Sequence, residues 1–296
     1  MAILLVGFDA AWTLSNSGAL VGVVRLDDGT FCDLGPPEPA DYSQAEHQIS
    51  SWQCNRSVTT TVVLLDQPTI VRNSEGQRPV ENIVSSPVGR RRGGVQPANT
   101  GRKNMFGEQA PVWPFLMRFG GAADPLRPLP YSCVFETYPV LALIALGWIL
   151  EDSRPGGRLP KYNPERRGTF LIWDWQFVCN QVRNAFSKRG LTQVAQWISS
   201  VAQNTSPRKS DQDCLDACIC LLVALYLIER KVCLMVGDLT TGYIVVPHSA
   251  ALQKELEARC RQVGRVSSDW VRAFTLILPE SKNCAAFFGD VSPPSV

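Results

Sequence analysis

Short apolar stretches of this chain run directly into carboxylates, and that juxtaposition restricts the folds open to it. Residues 3–8 lead into Asp9, residues 62–65 into Asp66 and residues 132–135 into Glu136, while Asp213 and Asp216 stand at the start of a long apolar helix. A carboxylate in or beside a sheet core is costly unless it is paired or holds a cation. Convergence of several such acids would make a divalent-metal site, and carboxylate-held divalent metals suit phosphate chemistry.

The spacing of apolar residues and turn signals predicts the elements that carry these acids. Residues 3–8 and 19–26 read as strands joined by a turn at Ser15-Asn16-Ser17-Gly18, and Asp28-Gly29 signals a hairpin into a third strand at 30–34. Residues 40–53 have weak helical character. Residues 59–65 form a continuous β-branched run suited to a central strand, and 131–136 form a fifth strand. Pro139 suits a first helical turn, with helix continuing over 140–150. Further helices are expected at 170–188, 191–201, 213–230 and 252–260, with a short late strand at 243–246. This order predicts an α/β domain with a five-stranded mixed sheet flanked by helices. It spans residues 1–260; residues 261–296 form a C-terminal extension whose Ser292-Pro293-Pro294 tail frays. Residues 67–131, rich in Pro, Gly, Arg and Asn, read as a loop-rich insertion. The strand bearing Asp66 is expected beside the strand bearing Asp9, with their carboxyl ends as neighbours.

Composition removes several alternatives. A chain of 296 residues that is 45% hydrophobic and 19% charged builds a sizeable core and does not read as disordered. A formal net charge of +2 means that any surface for nucleic acid is local. Cys133, Cys214, Cys218, Cys220 and Cys233 lie within apolar runs and no CxxC pair exists, so a zinc site is not expected. These thiols read as reduced core residues, and the N-terminal apolar run lacks the basic flank of a signal peptide; a cytoplasmic location is the expectation. The apolar runs at 140–150 and 215–228 fall short of the roughly 20 residues that span a bilayer, so no membrane partner is expected.

Basic residues gather in two loops. Arg90, Arg91 and Arg92, then Arg102 and Lys103, lie in the insertion near Phe106, Trp113 and Phe115; Lys161, Arg166 and Arg167 lie in a second loop. Phosphate contacts with base stacking would suit single-stranded or irregular nucleic acid, whereas such a charge run is otherwise a solvated loop. Each acid has a plainer reading too. Asp213 fits a capping box with Ser210, Asp66 a turn before Gln67-Pro68, and Glu136 an ion pair with Arg78 or another arginine. His47 and His248 have no metal-ligand partner in spacing, which leaves a histidine general base unsupported.

In this order the motifs resemble the ribonuclease H-like superfamily, and more specifically domain of unknown function 429, a set of predicted ribonuclease H-like nucleases. The matching segments are Val6-Gly7-Phe8-Asp9, Leu65-Asp66-Gln67-Pro68, Arg78 with Glu81, and Phe135-Glu136-Thr137-Tyr138-Pro139. They continue with Asp213-Cys214-Leu215-Asp216-Ala217, Gly237-Asp238 and residues 242–247. The resemblance implies a ribonuclease H-like fold and hydrolysis of nucleic-acid phosphodiesters with two Mg²⁺ or Mn²⁺ ions about 4 Å apart. It implies Asp9 as the bridging ligand, Asp66 as the second, and one or both of Asp213 and Asp216 as completing the site. Asp216 is the better candidate of that pair; Glu136 is an outer ligand or a structural partner. Two other functions compete. An actin-like phosphotransferase or ATPase would need a glycine-rich turn after the first strand, where Ala10-Ala11-Trp12-Thr13 stands. A nucleic-acid-binding or interaction protein without catalysis would have its acids splayed or paired with arginines.

Overall fold

The computed structural model describes residues 2–56 and 58–279. Its central strand is β1 (Ile3–Asp9), buried along its whole length. β2 (Gly18–Arg25) runs antiparallel to it, with Asp9 opposite Ala19. The chain then turns at Asp28-Gly29, where Gly29 has φ 88° and the Leu26 amide donates to the Thr30 carbonyl (2.8 Å). β3 (Phe31–Asp33) pairs with one end of β2 and β4 (Glu38–Ala40) with the other. Pro36 and Pro37 lie between them and donate no ladder hydrogen bond, so this edge is split into two short strands. After helix α1 (Tyr42–Asn55), β5 (Thr60–Leu65) adds parallel to β1, and β6 (Ser132–Glu136) adds parallel to β5. The result is a mixed six-stranded sheet in the order β3-β2-β1-β5-β6, with β4 paired to β2. The expected five strands are present; β4 was hidden because three residues carry no readable alternation.

The expected insertion is only partly loop. It contains α2 (Pro79–Arg90), α3 (Lys103–Phe106) and α4 (Val112–Arg118). Val80, Ile83, Val84, Pro87 and Val88 do keep helical spacing and are buried. The internal proline and Gly89 obscure that period, but Pro87 still contributes its ring to the buried face. The expected helix at 140–150 is α5 (Pro139–Ala145), shorter because Gly147 takes φ 72° and its amide donates to the Ile144 carbonyl (3.1 Å). α6 (Ile172–Ser187) and α7 (Thr192–Ala202) follow as expected.

α8 (Lys209–Ile228) begins four residues before Asp213 and is buried on almost every side. It lies against β1, β2 and β5 in the larger core, with Ile3, Leu5, Val62, Leu64, Cys133 and Phe135. Leu4, Val6, Phe8, Val63, Leu65 and Val134 face the other way, toward α1 and α4. A strand buried on both faces reads as a continuous apolar run, which explains the sequence of β1 and β5. The late strand belongs to a second sheet: β7 (Cys233–Asp238), β8 (Gly242–Pro247) and β9 (Val271–Phe274) pair antiparallel in the order β8-β7-β9. α9 (Ala250–Gln262) and α10 (Ser267–Trp270) connect β8 to β9. β9 thus ties residues 271–274, inside the expected C-terminal extension, to β7. The Ser292–Pro294 tail lies outside the described residues. Among the described residues, Cys133, Cys179, Cys214, Cys218, Cys220, Cys233 and Cys260 are free and buried, and no helix is long and apolar enough to cross a membrane.

Candidate metal centre

Gly7 sets how closely α8 approaches β1. A β-carbon on Gly7 would lie 2.1 Å from the Ala217 carbonyl oxygen and 2.4 Å from the Leu221 nitrogen. Two residues on, the pleat returns Asp9 to the same face of the strand. Asp213 and Asp216, spaced with Ala217 and Leu221 on one side of α8, are thereby brought over the end of β1. β5 places Asp66 beside them. The Asp66 amide donates to the Phe8 carbonyl (2.9 Å), one step beyond the Phe8–Leu65 register pair. Asp9 and Asp66 therefore sit at adjacent carboxyl ends of parallel strands, where α/β sheets place their ligand crevices.

These acids line a cleft of about 1130 Å³. Burial first, then the charges of Asp66, Asp216 and Asp213, push the Asp9 pKa well up. Asp66, partly buried, is pushed up first by burial and then by the charges of Asp216 and Glu136. Asp216 is raised to about 6 by burial, against the Tyr162 hydroxyl (2.7 Å), Lys209 and the Gln212 amide, which favour its ionised form. Asp213 shares a hydrogen bond with Asp9 and receives one from the Lys209 ammonium. Burial acts to lower the Lys209 pKa, but Asp213, Asp9 and Asp216 outweigh it and hold the ammonium charged.

Asp213 is not the helix cap. The Arg208 amide donates to Asp211 Oδ2 (2.8 Å), so Asp211 serves the first turn and Asp213 faces the cleft. Glu136 is drawn into a different arrangement. On β6 the pleat takes it off the face that carries Phe135. Its carboxylate accepts from Arg78 Nη1 (2.9 Å), Arg78 Nη2 (2.5 Å) and the Thr69 amide (2.9 Å). Burial raises Glu136, and the Arg78 guanidinium opposes that rise. Arg78 Nε also donates to Glu81 Oε1 (2.7 Å), and Glu81 Oε2 accepts from the Ala98 amide (3.0 Å). The Arg78 and Glu81 positions are thus the clasp that holds the insertion to the sheet.

A profile of the family described as "Protein of unknown function (DUF429)" matches residues 7–239, a span that holds all five acids. The chain belongs to the DUF429 family. No curated protein and no solved structure matches it.

The cleft of this DUF429 protein gathers the carboxylates of Asp9, Asp66, Asp213 and Asp216. Carboxylate oxygens suit Mg²⁺ or Mn²⁺. The Gln212 side chain adds another oxygen: its Nε2 donates to Asp216, while its Oε1 is buried with no hydrogen-bond partner. These are donor types that a divalent cation takes, but among the described residues no group of three or more His, Cys, Asp or Glu side chains is arranged to hold one. Cationic balance comes instead from Lys209. Three of these contributors, Lys209, Gln212 and Tyr162, were not singled out by the sequence. Lysine in a first helical turn opposes the helix dipole, so Lys209 four residues before Asp213 was a usable signal.

The basic residues separate by role. Arg91 is buried and gives both terminal nitrogens to Glu255 on α9 (2.9 and 2.6 Å), and Arg90 lies 3.6 Å from the same carboxylate. Arg91 is therefore a clamp between α2 and α9 and not a phosphate contact. Arg92, with φ 61°, pairs with Asp152 (2.9 Å) at the cleft wall. Lys161 lines the cleft and its Nζ donates to the Arg92 carbonyl (2.5 Å). Arg102 and Arg166 also line the cleft, whereas Lys103 and Arg167 are exposed outside it. The insertion's aromatic residues are mostly core: Phe106 and Phe115 are buried, and the Trp113 indole donates to the Gly107 carbonyl (2.7 Å). Trp12 reaches the site from the turn after β1, and Tyr138 and Tyr162 also line the cleft. Trp12 holds φ 62°, donates from Nε1 to the Asp66 carbonyl (2.8 Å), and meets Phe106 edge-on at 5.5 Å. His47 and His248 do not line the cleft.

Proposed function

We propose that this DUF429 protein is a metal-dependent nuclease of ribonuclease H-like type, hydrolysing phosphodiester bonds of nucleic acid. The observation that carries the reading is the placement of Asp9 and Asp66 at adjacent parallel-strand ends, facing Asp213 and Asp216 of α8 in one cleft. The antiparallel β1–β2–β3 meander followed by parallel β5 and β6 supports the ribonuclease H-like part of it. Asp9 and Asp66 would hold Mg²⁺ or Mn²⁺, with Asp216 and Asp213 completing the surroundings. Bound there, the cation supplies a polarised phosphoryl oxygen and a more acidic water. The protein's own groups do the rest. Tyr162 and Gln212 fix the Asp216 carboxylate, Trp12 fixes the turn after β1 against β5, and Arg102 and Arg166 offer phosphate contacts at the wall. Glu136, paired with Arg78, acts as a structural partner of the site.

The phosphotransferase alternative loses ground at Trp12. Its indole occupies the turn after β1 and donates to the Asp66 carbonyl, where a phosphate cradle needs open backbone amides. A panel of single-stranded, duplex and branched DNA and RNA, incubated with Mg²⁺, Mn²⁺ or EDTA, tests the proposal. Cleavage with metal that disappears in EDTA and in Asp9→Asn is the expected result. Equal cleavage by wild type and Asp9→Asn would remove Asp9 from the chemistry, and no cleavage of any form would favour a binding role.

A further inference from the structure

We propose that Lys209 supplies one of the positive charges of this site, so that the cleft takes a single divalent cation, on Asp9 and Asp66. The inference rests on the metal-dependent reading above and replaces the second of the two ions implied by family resemblance.

The argument begins on the helix. Lys209, Asp213 and Asp216 fall at i, i+4 and i+7 of α8, one side of the helix, and all three line the cleft. A lysine in the first turn faces the positive end of the helix dipole and is unfavourable there without an acid to hold it. Asp213 is that acid, accepting directly from the Lys209 ammonium. The ammonium also bears on Asp9, Asp66 and Asp216, so its charge serves the whole cluster and not one ion pair. Glu136 is already matched by Arg78. Asp216 is engaged by Tyr162 and Gln212.

A cation at the Asp213–Asp216 side would have to share that space with an ammonium already bonded to Asp213. Two like charges competing for one carboxylate pair in a poorly solvated site is an expensive arrangement. Asp9 and Asp66, from neighbouring strand ends, remain as the pair that would hold a metal. Removing the ammonium changes the count. Asp213 and Asp216, both lining the cleft, then stand without the cation that Asp213 now accepts from.

Mn²⁺ binding to the full-length, EDTA-stripped chain, followed by calorimetry and by loss of the free-Mn²⁺ paramagnetic signal, reads this number directly. The expected result is one ion per chain for wild type, one for Lys209→Arg, and two for Lys209→Met. Two ions on wild type, or one on Lys209→Met, would overturn the role of Lys209 while leaving the metal-dependent reading intact. No Mn²⁺ on wild type would overturn both. If Lys209→Met folds poorly, Lys209→Gln carries the same test: two ions on it support the role of Lys209, and one ion overturns it.

Discussion

Asp216 binds its proton more tightly in the folded chain than in the unfolded one, because burial raises its pKa from 3.8 to about 6. A raised acid contributes stability below its unfolded pKa and loses it as pH rises through the folded value. In EDTA, the unfolding free energy of wild type relative to Asp216→Asn should therefore fall between pH 4 and pH 7, by about 2 kcal/mol for a shift of this size. Urea titrations at both pH values measure it, and a difference independent of pH would contradict it. Saturating Mn²⁺ at pH 7 should recover stability in wild type, since ligand binding to the folded state shifts the equilibrium toward it. Arg78 has the opposite character. It is 1% exposed and neutralises Glu136 and Glu81, so Arg78→Met would leave two buried carboxylates unmatched. A loss of about 3–5 kcal/mol is expected, measured by the same titration.

At the site α8 packs closely on β1, an approach that depends on the missing side chain of Gly7. Gly7→Ala places a methyl group against helix backbone, which cannot rotate away. A destabilisation of about 2–3 kcal/mol is expected by thermal unfolding, as for other overpacked cores. Mn²⁺ affinity should weaken with it, because Asp213 and Asp216 ride on the displaced helix. The helices also show why residues 67–131 were hard to read. α2 keeps its apolar period, but Pro87, Gly89 and the arginines around it carry the composition of a loop. α8 was legible because seventeen residues from Gln212 to Ile228 are almost all buried, which leaves only apolar choices beyond the acids. β4 and β9 escaped because strands of three and four residues carry too little alternation to read, and the continuous apolar run of β7 does not by itself distinguish strand from helix.

Across the whole molecule, the cleft is assembled from distant segments: the β1 and β5 ends, the insertion, the loop around Lys161–Arg166 and the start of α8. Arg102 and Arg166 reach it, whereas Arg91 lies in its clamp with Glu255. Arg102→Ala and Arg166→Ala should each weaken nucleic-acid binding and reduce the salt slope of log K by about 0.7–0.9, read by titration at several salt concentrations. Arg91→Ala should lower the melting temperature and leave that slope unchanged. By itself, the sequence determined that apolar strands end in Asp9 and Asp66 and that an apolar helix carries Asp213 and Asp216, because burial writes itself into residue choice along each element. Only the tertiary structure decided that Glu136 belongs to Arg78, that Asp211 and not Asp213 caps α8, and that Lys209 stands among the acids. A charge finds its partner through space, and no periodicity along the chain records which one it will be.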